Sequence, residues 1–375
     1  MNLLTLGIVG ATGMVGQTAI DILWDIECGD IPFCSEYKIE TIKLFASKSS
    51  AGKRINYGKN SLVVSETTLA GLLECDAVLF AAEAAISTQF IPQLAAAGIL
   101  CIDKSSAYRE SADVPLVVPE VNAHCLSPQK LLQFPVVANP NCCSTPLTVA
   151  LKPLLDAFGL QRVVVDTYQS VSGAGKGGMD ALSEESKNFF TREDLNPDGS
   201  AIFPKPIAFN VMPFVAKILE NGDTDEESKI KFETKKILDL PKLLIAATSV
   251  RVPTYVGHAE AVTLQLSKPA SLAAVRACLA GAPGVIFVDE FLASSPEAED
   301  DVDVTHFATP RDVQGKNAVY VSRVRTAEIF ENGFALWIVA DNLRKGAALN
   351  AIQILSECCA NGLITALRTR RKELS

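Results

Sequence analysis

Three observations predict an α/β chain in which a doubly wound parallel sheet is joined to a second domain with a mixed sheet. Apolar strand runs alternate with helical periodicity through the first part of the chain, a glycine-rich turn separates the first strand from the first helix, and the texture turns β-rich past Asn141. A length of 375 residues suffices for two or three domains, and 48% hydrophobic with 21% charged residues is ordinary globular composition. With 34 Lys and Arg against 43 Asp and Glu, the formal net charge of −9 argues against nucleic acid or an anionic membrane as the partner. An anionic ligand must then be met by a few locally placed cations. No run approaches the ~20 apolar residues of a membrane-spanning helix, and the apolar start MNLLTLGIVG runs straight into glycines, so it reads as a strand rather than a signal peptide. The ten cysteines show no CxxC pair and no metal-finger spacing, which predicts reduced thiols in a cytoplasmic protein and no metal site.

Element by element, Leu3 to Val9 is the first strand, Gly10 to Gly16 the turn, and Met14 to Ile26 a helix with apolar positions three and four apart. A second strand ends at Leu44, Phe45 and Ala46, a third spans Ala77 to Ala81, and a fourth Ile99 to Ile102. A helix from Thr145 to Phe158 follows Asn141, with Thr145 and Pro146 read as N-cap and first helical residue and Gly159 as the stop. The β-rich stretch begins at Arg162 to Tyr168, and later strand candidates are Lys242 to Val252, Ala261 to Leu266, Val285 to Val288, Ala318 to Val324 and Phe334 to Val339. The acidic block Glu297 to Asp301 reads as a solvated loop. Helical periodicity returns from Leu343 to Leu367, a terminal segment long enough to fold back onto the first domain.

Two motifs carry chemistry. The first, GIVGATGMVG at 7–16, follows a strand and opens a helix, the context in which glycines admit a close pyrophosphate and the helix N-terminus offers unpaired N–H groups. This is a Rossmann-type turn with GxxGxxG in place of GxGxxG spacing; the alternative is a tight strand-to-helix turn with no ligand. Gly10, Thr12, Gly13, Met14 and Val15 are its candidate contacts. The loop after the second strand, Ser47 to Lys53, offers Ser47, Ser49, Ser50, Lys48 and Lys53 and no carboxylate, which favours a 2′-phosphate and hence NADP over NAD; an exposed polar loop is the alternative. The second motif, NPNCCSTP at 139–146, sets two cysteines just before a helix N-terminus, where the dipole favours a reactive thiolate. Both cysteines could instead be buried small residues.

These motifs continue in order along nearly the whole chain: VGATGMVG at the start, SSAYR and VPLVVPEVN within 105–122, NPNC at 139–142, TYQSVSGAGKGG at 167–178, IAFNVMP at 207–213, EESK at 226–229, RVPTYVGHAEAV at 251–262 and DNLRKGAALN at 341–350. The chain resembles the aspartate-semialdehyde dehydrogenase family. The resemblance implies a glyceraldehyde-3-phosphate dehydrogenase-like fold, with residues 1–140 and 343–375 as an NADP-binding domain and 141–342 as an α+β mixed-sheet catalytic and dimerisation domain. It implies reductive dephosphorylation of L-aspartyl-4-phosphate with NADPH through a cysteine thioacyl intermediate, in the synthesis of lysine, methionine and threonine. It also implies a homodimer or homotetramer.

Position by position, the resemblance selects Cys142 as nucleophile, since the family's thiol follows Asn and keeps its distance from Ala150 and Leu151; Cys143 then stands where a serine is usual. His258 corresponds to the acid/base, while His124 and His306 are left as structural or surface residues. Gln169 corresponds to the glutamine that orients the acyl group, Arg251 to the fork on the substrate carboxylate, Glu226 to the partner of its ammonium, and Arg109 and Lys229 to the phosphate site. Ser172 and Gly173 correspond to the loop under the nicotinamide, and Asn342 to a further cofactor contact. The chain departs from the family at Ala81 to Ala84, where Glu83 replaces a glycine-bearing loop, and at Lys104, where Asn is usual. Readings that stay open are an N-acetyl-glutamyl-phosphate reductase, more distantly a glyceraldehyde-3-phosphate dehydrogenase, and a catalytically silent relative that binds NADP.

Overall fold

A computed structural model of the chain describes residues 1–192, 202–288 and 307–374. The chain divides into two compact units, Met1–Pro140 together with the segment from Ala347 onward, and Asn141–Gly346.

The first unit is a seven-stranded sheet in the order β3-β4-β2-β1-β5-β6-β7, with β1 Asn2–Val9, β2 Tyr37–Ala46, β3 Arg54–Tyr57, β4 Asn60–Glu66, β5 Ala77–Phe80, β6 Leu100–Asp103 and β7 Val136–Ala138. All pairs are parallel except β3 with β4. The apolar runs of β1, β5 and β6 are buried on both faces because helices cover each side, as parallel sheets require. The helices here are α1 Met14–Cys28, α2 Leu69–Leu73, α3 Ala84–Ala96, α4 Pro119–Asn122 and α5 Pro128–Leu131. The strand order reverses beside β1, between β2 and β5, and the glycine turn leaves β1 at that switch point, where α/β sheets bind ligands.

The second unit carries a six-stranded mixed sheet in the order β11-β12-β13-β10-β8-β9, formed by β8 Leu160–Gln169, β9 Leu244–Arg251, β10 His258–Leu266, β11 Val285–Phe287, β12 Val319–Thr326 and β13 Gly333–Ala340. Strand β10 runs antiparallel to both β8 and β13, while β8 and β9 are parallel. Its helices are α6 Ser144–Phe158, α7 Gly175–Thr191, α8 Asp225–Ile237 and α9 Leu272–Ala280.

After β13 come a π-helical turn at Arg344–Ala348 and the helices α10 Leu349–Ala360 and α11 Leu363–Leu374. Leu349, Ile352 and Leu355 of α10 and Leu363, Ile364 and Leu367 of α11 share one buried core with Leu4, Leu6 and Ile8 of β1 and Ile20 and Leu23 of α1. The terminal periodicity is thus two helices, broken where Gly362 takes φ 78.

Two further expectations are corrected. The N-cap of α6 is Cys143, two residues before the expected Thr145, so Thr145 sits inside the helix and bonds the Asn141 carbonyl through both its N–H and its hydroxyl, each at 3.1 Å. Strand β10 begins at His258 rather than Ala261. The acidic block at 297–301 and His306 lie outside the described residues. Among the described residues no single helix is long and apolar enough to cross a membrane.

Candidate active site

In the first unit the turn after β1 is built for close approach. Gly10 takes φ +81, and a Cβ on it would lie 2.5 Å from the Ala81 carbonyl oxygen; one on Gly16 would lie 2.3 Å from the Gly10 oxygen. Only glycine allows the turn to press against the end of β5 and α1 to pack on the turn. Gly13 is the N-cap of α1 and gives no side-chain cap, so the N–H groups and positive end of the helix at Met14 and Val15 are left to a ligand. After β2, Ser47, Lys48 and Ser49 are exposed on a short 3-10 turn with Ser50 buried beneath them, and the Ser47 and Ser49 hydroxyls lie 2.9 Å apart. This donor set, with no carboxylate, fits a phosphorylated ribose. Glu83, the departure after β5, is exposed at the N-cap of α3, where a carboxylate is favoured by the helix dipole. Buried Asp103 accepts from Ser87 at 2.7 Å and from both the N–H and the hydroxyl of Ser105, and so holds the start of the loop that carries Arg109. Arg109 is itself buried, with one guanidinium N–H on the Lys104 carbonyl at 2.6 Å.

In the second unit, sheet register brings together residues far apart in sequence. Gln169 at the end of β8 pairs with Arg251 at the end of β9, and the ladder that pairs Tyr168 with Ala259 puts His258 beside Gln169 on β10. Directly opposed residues share a face, so Arg251, Gln169 and His258 form a row across three strands about 4.8 Å apart. Cys142 lies in the turn that enters α6, and its sulfur, that of Cys143 and one ring nitrogen of His258 all fall within 4.8 Å of one another. A Cβ on Gly346 would come within 3.2 Å of Cys142 backbone atoms, so glycine there lets the chain pass close by.

The turn is held by residues that sequence reasoning missed. Asn141 accepts the Cys143 N–H on its Oδ1 at 2.7 Å, donates its amide to Glu226 at 2.8 Å, and gives its backbone N–H to Glu233 at 2.6 Å. Glu226 and Glu233 are two turns apart on α8, a spacing that puts them on one helix face and was legible in the sequence. Glu227 between them makes a capping box with Thr224 and also accepts the Ser249 N–H of β9 at 2.8 Å; the T-x-x-E signature was equally legible. Gln169 donates to the same Glu226 oxygen at 3.2 Å, so this carboxylate ties the glutamine to the cysteine turn.

Ser170, also missed, orients the histidine. Its backbone N–H donates to His258 Nδ1 at 3.1 Å, which puts the proton of the neutral ring on Nε2. A protonated Nε2 cannot ligate, so the two thiols and His258 make a poor metal centre. The Arg251 guanidinium donates to the Ser170 carbonyl at 2.7 Å; burial lowers its pKa, opposed by Glu226 and the two cysteines. A Cβ on Gly173 would lie 2.7 Å from that guanidinium and 3.5 Å from the imidazole, so the glycine makes room for both. Buried Asn342 collects the Gly257 N–H at 2.9 Å and the Ser172 hydroxyl. Lys229 is paired with Asp225 one turn earlier on α8 at 2.5 Å.

The two thiols differ. Cys143 is fully buried, and burial pushes its thiol well above the ordinary range, with Cys142 acting in the same direction. Cys142 is partly open to solvent. Exposed His124 lies in the first unit, away from this cluster.

A dinucleotide turn in one unit and a thiol, imidazole and guanidinium in the other define a nicotinamide-dependent oxidoreductase. The family model described as semialdehyde dehydrogenase, NAD binding domain, matches residues 5–128, and the semialdehyde dehydrogenase dimerisation domain matches residues 151–345. The aspartate-semialdehyde dehydrogenase of Rickettsia bellii is 39% identical over 352 residues, covering 94% of this chain and 96% of that protein. That of Aquifex aeolicus is 37% identical, covering 95% and 98%. Aspartate semialdehyde dehydrogenase II from Vibrio cholerae, a solved structure, superposes with a TM-score of 0.85 at 35% identity, covering 96% of this chain and 99% of that one; the same enzyme has been solved in complex with ASA. The chain belongs to the aspartate-semialdehyde dehydrogenase family, oxidoreductases of amino-acid biosynthesis with a nicotinamide-binding Rossmann domain.

Proposed function

We propose that this chain reduces L-aspartyl-4-phosphate to L-aspartate 4-semialdehyde with NADPH, and that the acyl group passes through a thioester on Cys142. The observation that carries this reading is the convergence of Cys142 with His258, Arg251 and Gln169 at the N-terminus of α6. The positive end of the helix favours a thiolate at Cys142, which attacks the acyl phosphate carbon as the carbon–oxygen bond to phosphate breaks. Phosphate leaves with that electron pair; Arg109 and Lys229 are assigned to it, Lys229 by exchanging Asp225 for the anion. Arg251 forks onto the α-carboxylate, Glu226 meets the ammonium, and Gln169 orients the acyl oxygen. Bound NADPH would supply the hydride that reduces the thioester. The His258 Nε2–H then donates a hydrogen bond to the developing oxyanion, and the hemithioacetal collapses to the aldehyde as its carbon–sulfur bond breaks and the electron pair returns to Cys142.

The cofactor is assigned to Gly10, Thr12, Gly13, Met14 and Val15 at the pyrophosphate and to Ser47, Ser49 and Ser50 at a 2′-phosphate. Ser172, Gly173 and Asn342 are assigned to it on the family resemblance. The same resemblance supports a place in lysine, methionine and threonine synthesis, a cytoplasmic location, and assembly as a homodimer or homotetramer.

The test is NADP reduction by purified protein given L-aspartate 4-semialdehyde, with and without phosphate, beside Cys142→Ala and Cys143→Ala. Phosphate-dependent turnover lost only in Cys142→Ala is the expected result. No turnover by the unaltered protein, despite NADPH binding, contradicts the reading.

A further inference from the structure

Two residues beyond His258 on β10 stands Glu260, a group to which the proposed chemistry gives no role. Alternation along the strand puts both side chains on one face. Its lateral neighbours are Thr167 on β8 and Ile338 on β13, with Ser249 on β9 one strand further. Glu260 is 1% exposed, and neither carboxyl oxygen has a hydrogen-bond partner among the described residues. The titratable or charged groups near this face are Cys142 and Cys143 before α6, His258 on the same strand, Arg251 on β9 and Glu226 on α8. Asp166 and Tyr168 on β8 alternate to the other face.

A carboxylate sealed from water, with no donor to accept from, is the costliest state available to this side chain; a carboxylic acid is far cheaper. Burial pushes the Glu260 carboxyl well above the usual range, and the Cys142 charge pushes in the same direction. A neutral acid has one O–H to donate, and in the resting structure that donor is uncommitted. When Cys142 ionises, its sulfur becomes an anionic acceptor within 4.8 Å of a ring nitrogen of His258, the residue two places before Glu260 on the same strand face.

The geometry points to Glu260 as a positioning residue that stays a neutral acid and donates its O–H, directly or through one buried water, to the Cys142 thiolate. It keeps its own proton throughout; the thiol proton leaves to solvent. A carboxyl group is thus used for its donor, as in other sites where an apolar setting keeps an acid protonated. The inference rests on the reading of Cys142 as nucleophile, but its test does not need turnover.

The experiment follows the rate of Cys142 alkylation by iodoacetamide against pH, read on the Cys142 peptide, in the unaltered protein, Glu260→Gln and Glu260→Leu. Thermal unfolding and the infrared stretch of a protonated carboxyl are recorded alongside. Gln keeps a donor in the same shape, so its alkylation midpoint stays with that of the unaltered protein. Leu fills the space without a donor, so the midpoint rises by about one unit, a tenfold loss of thiolate at a given pH. Its melting temperature does not fall, because an apolar group replaces an unpartnered polar one. The protonated-carboxyl band at neutral pH disappears in Glu260→Gln.

A midpoint that falls in Glu260→Gln, or a missing band, shows an ionised Glu260 and overturns the proposal. So does an unmoved midpoint in Glu260→Leu, which leaves only a packing role. Should the Leu variant not fold, Glu260→Met serves with the same expectation. Midpoints that shift as expected in a protein that does not turn over would instead sink the enzymatic reading while leaving this one in place.

Discussion

Gly173 shows at residue scale how much of the site depends on absent atoms. Its missing Cβ is what lets the Arg251 guanidinium sit against the Ser170 carbonyl. Gly173→Ala should displace that guanidinium and raise the KM for semialdehyde about tenfold, ~1.4 kcal/mol, with unfolding unchanged in the same preparation. Asn141 carries a different load, as it links the Cys143 N–H to Glu226 and supplies a backbone bond to Glu233. Asn141→Ala leaves buried partners unmatched and should cost roughly 1–3 kcal/mol in a denaturant titration. Cys142, His258, Gln169 and Arg251 were singled out through the family resemblance, and sheet register brings the last three into one row. Asn141, Ser170 and Glu233 were not singled out, since their roles are hydrogen bonds between distant segments, which only register and packing reveal. Glu260 was hidden for a related reason: in sequence it is one more polar residue on a strand.

The legible elements were those with a strong local signal. The two-sided apolar runs of β1, β5 and β6 and the Gly159 stop of α6 have unambiguous periodicity or chemistry. Strands β3, β4 and β7 escaped because four to seven polar-rich residues, or only three apolar ones, give no period to detect. The N-cap of α6 was misplaced because Thr145-Pro146 looks like a helix start, whereas the N-cap is Cys143, two residues earlier, whose N–H is held by the Asn141 side chain. Helix α11 is held within the first unit by Arg368, whose guanidinium meets both oxygens of Asp76 at 2.8 and 2.6 Å while Asp76 also accepts the Thr5 N–H of β1. Burial alone would raise the Asp76 carboxyl, but the Arg368 fork and the Thr5 bond outweigh it and the net shift is downward. A depressed carboxyl contributes stability that is present above the unfolded-state pKa of ~3.9 and is lost as pH falls toward the folded value. The first unit should therefore weaken on acidification below about pH 4, and Asp76→Asn should flatten that dependence in urea midpoints measured against pH.

For the whole molecule, the sequence conveyed the class of each sheet and the identity of the family, because ordered motifs constrain both. The path of the C-terminal segment was open from spacing alone; its apolar stripe completes the core around β1. The central claim is that Cys142 carries the acyl group. It is tested most directly by mixing the protein with L-aspartate 4-semialdehyde and NADP in the absence of phosphate and following NADPH in the first turnover. A thioacyl enzyme with no phosphate to accept its acyl group predicts a burst of one NADPH per active subunit, then near arrest, with steady turnover restored by phosphate and no burst in Cys142→Ala. Linear NADPH formation without phosphate, or a burst that survives in Cys142→Ala, would contradict the account.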